Sequence, residues 1–232
     1  MSTSADTKTS RINKLASIVN RIVTFGTQNK NLFVYVKNFL YFCTEKRYWQ
    51  MKVLVFDDMS QATEQEVARM LPLVTAQRRE QALRYKHLFG QFCCLKSWMM
   101  VYETGIQGEW EYNEYGKPFV SGAPYFSLSH CKEGIAVAVD DQPIGIDIEG
   151  IRHADDALIE RTMSEAEQAI IRASDEPDRV FTRLWTQKEA VLKCLGTGIE
   201  GFEALQQALT SFDGKLTSVE KENYIYSIAT TN

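Results

Sequence analysis

Apolar and polar positions change rhythm several times along this chain. The run KVLVF, starting at Lys52, is a short apolar stretch bounded by turn residues and predicts a strand. Ser60 is placed to cap a helix that reaches about Leu71, which Pro72 helps to end. TAQRREQALRYK then reads as a basic helix with Thr75 as its N-cap, and FGQFCCLKSWMMVYETG continues as an apolar helix stopped at Gly105. A turn-rich stretch, YNEYGKPFVSGAP, leads into three short strands, YFSLSH, GIAVAVDD and PIGIDIE. Residues 155–172 and 177–196 carry a 3.6-residue apolar period and predict helices. Past Gly201 the signal weakens, with YIYSIAT as a last strand. Strands and helices mix without regular alternation, which predicts an α+β architecture rather than a doubly wound sheet.

PIGIDIE raises the first chemical question. Extended backbone sends Ile144, Ile146 and Ile148 to one face and Gly145, Asp147 and Glu149 to the other. Two carboxylates held that close repel unless a positive group lies between them. An acidic solvent face is one explanation. A hard divalent cation is the sharper one, since Mg²⁺ takes one or two protein carboxylates and completes its shell with phosphate and water. Gly145 beside them leaves room for a ligand to approach the backbone.

Two further stretches hold candidate chemistry. In FTRLWTQKEAVLKCLGTGI a helix places Trp185, Glu189, Leu192 and Lys193 along one face, and Gly196 and Gly198 stop it. Glu189 and Lys193 form either a simple i,i+4 ion pair or a third metal carboxylate, or general base, beside a lysine that offers a point charge to phosphate. In FSLSHC neighbouring side chains face opposite ways, so Ser129 and His130 make a poor nucleophile–base pair. His130 at the strand's end remains a candidate donor to phosphate. Arg78, Arg79, Arg84, Lys86 and His87 form a solvated basic face or receive an extra phosphate, and Lys117 in the turn GKP is a similar case.

Charge and composition narrow the classes. The chain has 232 residues and a formal net charge of −4, which gives no case for nucleic-acid binding. The first 50 residues carry eight Lys/Arg against two acids, and the rest carry 18 against 28, a balance of −10. Met51 directly precedes the first strand, so residues 1–50 read as a basic extension or a mis-assigned start, with a membrane-surface or targeting helix as the alternative. Five cysteines without a C-x-x-C pair fit small buried hydrophobes in a reducing cytosol. No apolar run has membrane-spanning length, and no secretory signal pattern opens the chain.

FSLSH, GIDIE and WTQKEAVLK, in that order, resemble the signature of the 4′-phosphopantetheinyl transferases, the type that activates fatty-acid and peptide synthases. The match lies at Ser129–His130, at Gly145, Asp147 and Glu149, and at Trp185, Lys188, Glu189 and Lys193, with the turn GKP before them. It covers roughly residues 51–198. The resemblance implies two similar α+β halves, 51–140 and 141–232, packed face to face with the active site in the cleft. It implies transfer of the phosphopantetheine arm of coenzyme A, the co-substrate, to a serine of an apo acyl or peptidyl carrier protein, leaving 3′,5′-ADP. By the same resemblance Asp147, Glu149 and Glu189 would hold Mg²⁺, and Glu189 would accept the serine proton. Lys193 and His130 would bind pyrophosphate oxygens, Ser129 and Lys117 would seat coenzyme A, and Arg78 and His87 would stand at the 3′-phosphate. Trp185 reads as a core anchor. A cytoplasmic monomer with no nucleic-acid or membrane partner is implied. The rival readings are another metal-dependent phosphodiesterase or phosphotransferase, and a catalytically silent carrier-binding module.

Overall fold

The computed structural model describes residues 51–198 and 201–231, so the expectations for residues 1–50 fall outside it. KVLVF forms strand β1 (Lys52–Phe56). Its alternation splits the side chains between two cores: Leu54 and Phe56 join one, Val53 and Val55 the other. Ser60, expected to cap the next helix, lies instead in a 3₁₀ turn with its hydroxyl on Asp58. The cap is Thr63, whose extended backbone lets its side chain accept from Glu66 N and start helix α1 (Glu64–Met70). Thr75 caps helix α2 (Ala76–Leu83) as expected. The apolar stretch forms helix α3 (Leu88–Glu103), and Gly105 follows with φ 101°.

A small ribbon of β2 (Glu111–Tyr112) and β3 (Pro118–Phe119) brackets the turn NEYGK. Strands β4 (Tyr125–His130), β5 (Ile135–Asp140) and β6 (Ile144–Gly150) lie where the alternation puts them. The expected helix over 155–172 is two helices, α4 (Asp156–Thr162) and α5 (Glu165–Arg172). Ser164 breaks it by forming a capping box with Glu167, a start signal strong enough to interrupt the apolar period. Helix α6 (Pro177–Leu195) follows and ends at Gly196 in the left-handed conformation, φ 75°. Helix α7 (Phe202–Ser211) and strand β7 (Gly214–Glu220), not anticipated, precede β8 (Tyr224–Thr231).

The longer strands form two antiparallel sheets, ordered β1-β5-β4 and β6-β8-β7. One face of the first, with Phe126, Ile135, Val137 and Val139, packs under α1–α3 against Met70, Phe92 and Leu95. Its other face is nearly smooth, with Ala136 and Ala138, and the isoleucines of β6 close on it. The far face of the second sheet carries Ala229 and meets Ala190, Val191 and Cys194 of α6 and Leu205 of α7. The layers therefore run helices, sheet, sheet, helices. Ile144, Ile146 and Ile148 are wholly buried at the centre, which fixes the opposite face of β6 toward α6. No helix among the described residues is long and apolar enough to cross a membrane.

Candidate functional site

Asp147 lies on the α6 side of β6 and is only 2% exposed. Ser129, on the neighbouring strand β4, donates its hydroxyl to Asp147 Oδ1 at 2.7 Å. Lys193, near the end of α6, donates to the same oxygen at 2.6 Å and to Ser129 Oγ at 3.0 Å. Three elements thus bring one residue each to a single point. The second carboxylate oxygen, Asp147 Oδ2, is buried and has no hydrogen-bond partner, an arrangement that costs free energy unless a ligand completes it.

Glu149 follows two residues later on the same face and is half-buried. Burial, and after it the Asp147 charge, pushes its carboxyl up to about 7. Burial also raises the Glu189 carboxyl, with Lys193 pulling it down and Asp147 pushing it up. Lys193 and Arg152 are the cations that act on this group of carboxylates, and burial outweighs both at Glu149 and Glu189. Among the described residues no three His, Cys, Asp or Glu side chains stand grouped as ready metal ligands, and the Lys193 ammonium lies against Asp147 instead. The donor chemistry nevertheless fits a small, hard divalent cation: oxygen ligands, a buried oxygen without a partner, and two acids that burial raises in spite of nearby cations.

Two cavities flank this cluster. One, of about 320 Å³, is lined by Tyr115, Pro118, Leu128 and Leu192 together with Glu189 and Lys193. The other, of about 580 Å³, is polar and includes His130, Lys132, Glu149 and Arg152. The His130 ring is itself exposed on that concave wall, and its desolvated surroundings lower its pKa, favouring neutral imidazole. Lys117 lines the first cavity, but its ammonium donates to Ile144 O at 3.1 Å and Cys194 O at 3.2 Å; burial lowers its pKa.

Other residues singled out from sequence lie elsewhere. Arg78 is buried under the first sheet, its guanidinium 3.9 Å over the Trp110 ring and its Nη1 on Cys94 Sγ at 3.5 Å. His87 is the exposed residue preceding α3, lining neither cavity. Gly145 makes room for a helix rather than a ligand: a Cβ there would overlap the Ala190 carbonyl oxygen and the Cys194 amide. Trp185 packs with Phe181 and forms a platform for Arg152, whose guanidinium lies 4.7 Å over its ring. Lys188 is fully buried, paired to Glu167 at 2.8 Å and donating to Leu205 O at 2.7 Å.

Three positions escaped the sequence reading. Ser127 accepts the Ile146 N–H at 3.0 Å across the seam between the sheets, and its period-2 relation to Ser129 was the available signal. Arg152 favours the charged carboxylate of both Glu149 and Glu189, opposing the rise that burial causes; it lies two residues past the end of the acidic strand. Asn113 bonds to the end of α6, which no local pattern announces.

Comparison with known proteins bears on the same residues. The model of the 4′-phosphopantetheinyl transferase superfamily matches residues 143–227, from β6 to β8. A 4′-phosphopantetheinyl transferase of Bacillus subtilis is 32% identical over 146 residues, covering 58% of this chain and 65% of that protein. The 4′-phosphopantetheinyl transferase psf-1 of Bacillus pumilus is 30% identical over 172 residues, 66% of this chain and 70% of the relative. The 4′-phosphopantetheinyl transferase gsp of Aneurinibacillus migulanus is 38% identical over 89 residues, 38% of each. The chain thus spans less than two thirds of the first and third of these relatives.

Proposed function

This chain belongs to the 4′-phosphopantetheinyl transferase superfamily, and on that premise we propose that it moves the 4′-phosphopantetheine arm of coenzyme A onto an apo acyl or peptidyl carrier protein. The carrier's serine oxygen bonds to the phosphorus that bears the pantetheine. The bond from that phosphorus to the bridging diphosphate oxygen breaks, and its electron pair leaves with 3′,5′-ADP. The observation that carries this reading is the convergence of Ser129, Lys193 and the unpartnered Asp147 Oδ2 between two cavities.

Phosphoryl transfer asks for positioning and charge neutralisation more than for a protein nucleophile. Asp147, Glu149 and Glu189 would hold Mg²⁺, which when bound supplies positive charge to the diphosphate oxygens. Glu189, raised by burial, accepts the serine proton at a carboxylate oxygen, directly or through one water. Lys193 turns its ammonium from Asp147 to a phosphate oxygen, and neutral His130 donates one N–H to another. Ser129 keeps Asp147 in place while Lys193 moves. Intact mass spectrometry of several apo carriers after incubation with coenzyme A and Mg²⁺ tests the reading. A gain equal to the arm, on the carrier serine, is expected. Free phosphopantetheine without carrier modification would mean hydrolysis, and Mg²⁺-independent carrier binding without any gain would mean a docking module.

A further inference from the structure

The hairpin around NEYGK closes on itself through one side chain. Asn113 Oδ1 accepts from Tyr115 N at 3.0 Å and from Lys117 N at 2.8 Å. Its backbone N–H donates to Lys117 O, and its carbonyl accepts from Gly116 N, both at 3.0 Å. Gly116 supplies the positive φ of 81° that the tight turn requires. The remaining function of Asn113 points out of the turn. Its Nδ2 donates to Gly196 O at 2.8 Å, 83 residues away at the C-cap of α6. Lys117 Nζ, from the same turn, holds Cys194 O.

The last carbonyls of a helix lack intrahelical donors, and this hairpin caps them from outside. That connection has a geometric effect. Tyr115, Gly116, Lys117 and Pro118 of the hairpin line the cavity of about 320 Å³, and so do Glu189, Leu192 and Lys193 of α6. A bond between hairpin and helix end therefore ties together the two elements that line this cavity. A mainly apolar lining that includes Lys193 and Glu189 suits a nucleotide whose phosphates lie toward the lysine, and the volume lies in the range of small-molecule sites.

We propose that Asn113 is a positioning residue that sets the gap between the hairpin and the end of α6, and thereby the affinity for the nucleotide end of coenzyme A. The inference rests on the transferase reading for the identity of the ligand. Two substitutions isolate the role. Asn113→Asp keeps the oxygen that organises the turn but replaces the donor to Gly196 O with an acceptor. Asn113→Ala removes both.

Calorimetric titration with coenzyme A, without carrier, should show binding weakened about tenfold in Asn113→Asp, the scale of one lost hydrogen bond at a shielded site, with the melting temperature held. Asn113→Ala should weaken it at least as much. In steady state the KM for coenzyme A should rise by the same factor, with kcat and the KM for the carrier unchanged. Wild-type affinity in a folded Asn113→Asp protein would overturn the proposal. So would weakening by Asp but not Ala, which would reduce the effect to added charge, and so would a fall in kcat at unchanged KM. If the wild type binds coenzyme A yet modifies no carrier, the transferase reading fails, and the dissociation constants still decide the role of Asn113.

Discussion

At the scale of single residues, Glu149 is the most heavily perturbed acid in the site. Its pKa of about 7 in the folded chain exceeds that of the unfolded chain, so between roughly pH 4.5 and 7 the folded state binds the extra proton. Stability from this group is therefore present at low pH and is lost as pH rises through that window. Thermal melts of the cation-free protein should show a melting temperature that falls from pH 5 to pH 8, and Glu149→Gln should flatten the slope. An equal slope in the variant would refute the assignment. The carboxylates and Lys193 were legible in the sequence because strand alternation and i,i+4 spacing say which side chains share a face. The engagements of Arg78 with Trp110 and of Lys117 with two carbonyls were not. A long basic side chain reaches many acceptors, and only tertiary packing selects among them.

Helix α6 is seated by two elements of very different visibility. Gly145 lets it approach β6 backbone to backbone. Gly145→Ala should cost about 3 kcal/mol or more, as overpacking against main chain that cannot move aside, read by urea denaturation. Lys188 ties the helix to α5 and α7 through Glu167 and Leu205 O. Lys188→Met should cost about 3–5 kcal/mol, because it strands a shielded carboxylate. Adding Glu167→Leu should recover part of that loss, less the bond Glu167 accepts from Ser164 N at the start of α5; a double variant less stable than Lys188→Met would refute the stranded-carboxylate account. At this scale the strands around Asp147 followed from their period, with the buried isoleucine face a clear signal. The split between α4 and α5 was in the sequence too, as Ser164 followed by Glu167, but an unbroken apolar period outweighed it. Strand β7 was invisible because its half-exposed GKLTSVE alternates only weakly between polar and apolar.

For the whole molecule, the site depends on how two sheets meet. Ala136 and Ala138 keep the first sheet smooth, so the isoleucine face of β6 settles close and Ser129 comes within reach of Asp147. Ala138→Leu should force the layers apart, costing about 2 kcal/mol and lowering transfer more than a comparable substitution under α3; equal losses at both places would argue against the seam's special role. Chelation should abolish transfer and added Mg²⁺ restore it, read by carrier mass. The α+β class was legible from the irregular order of elements. The pairing of β1 with β5, far apart in sequence, was not, since local pattern fixes faces but not partners.

Lys193 already neutralises Asp147 in the protein by itself. An incoming cation must therefore compete with a resident one, and the ammonium leaves readily only if an anion arrives to receive it. Metal and diphosphate should enter as mutually dependent guests, each raising the affinity for the other by the same factor. Titrating Mg²⁺ with and without coenzyme A, then coenzyme A with and without Mg²⁺, should yield equal ratios well above one; a ratio of one would mean that the lysine guards nothing.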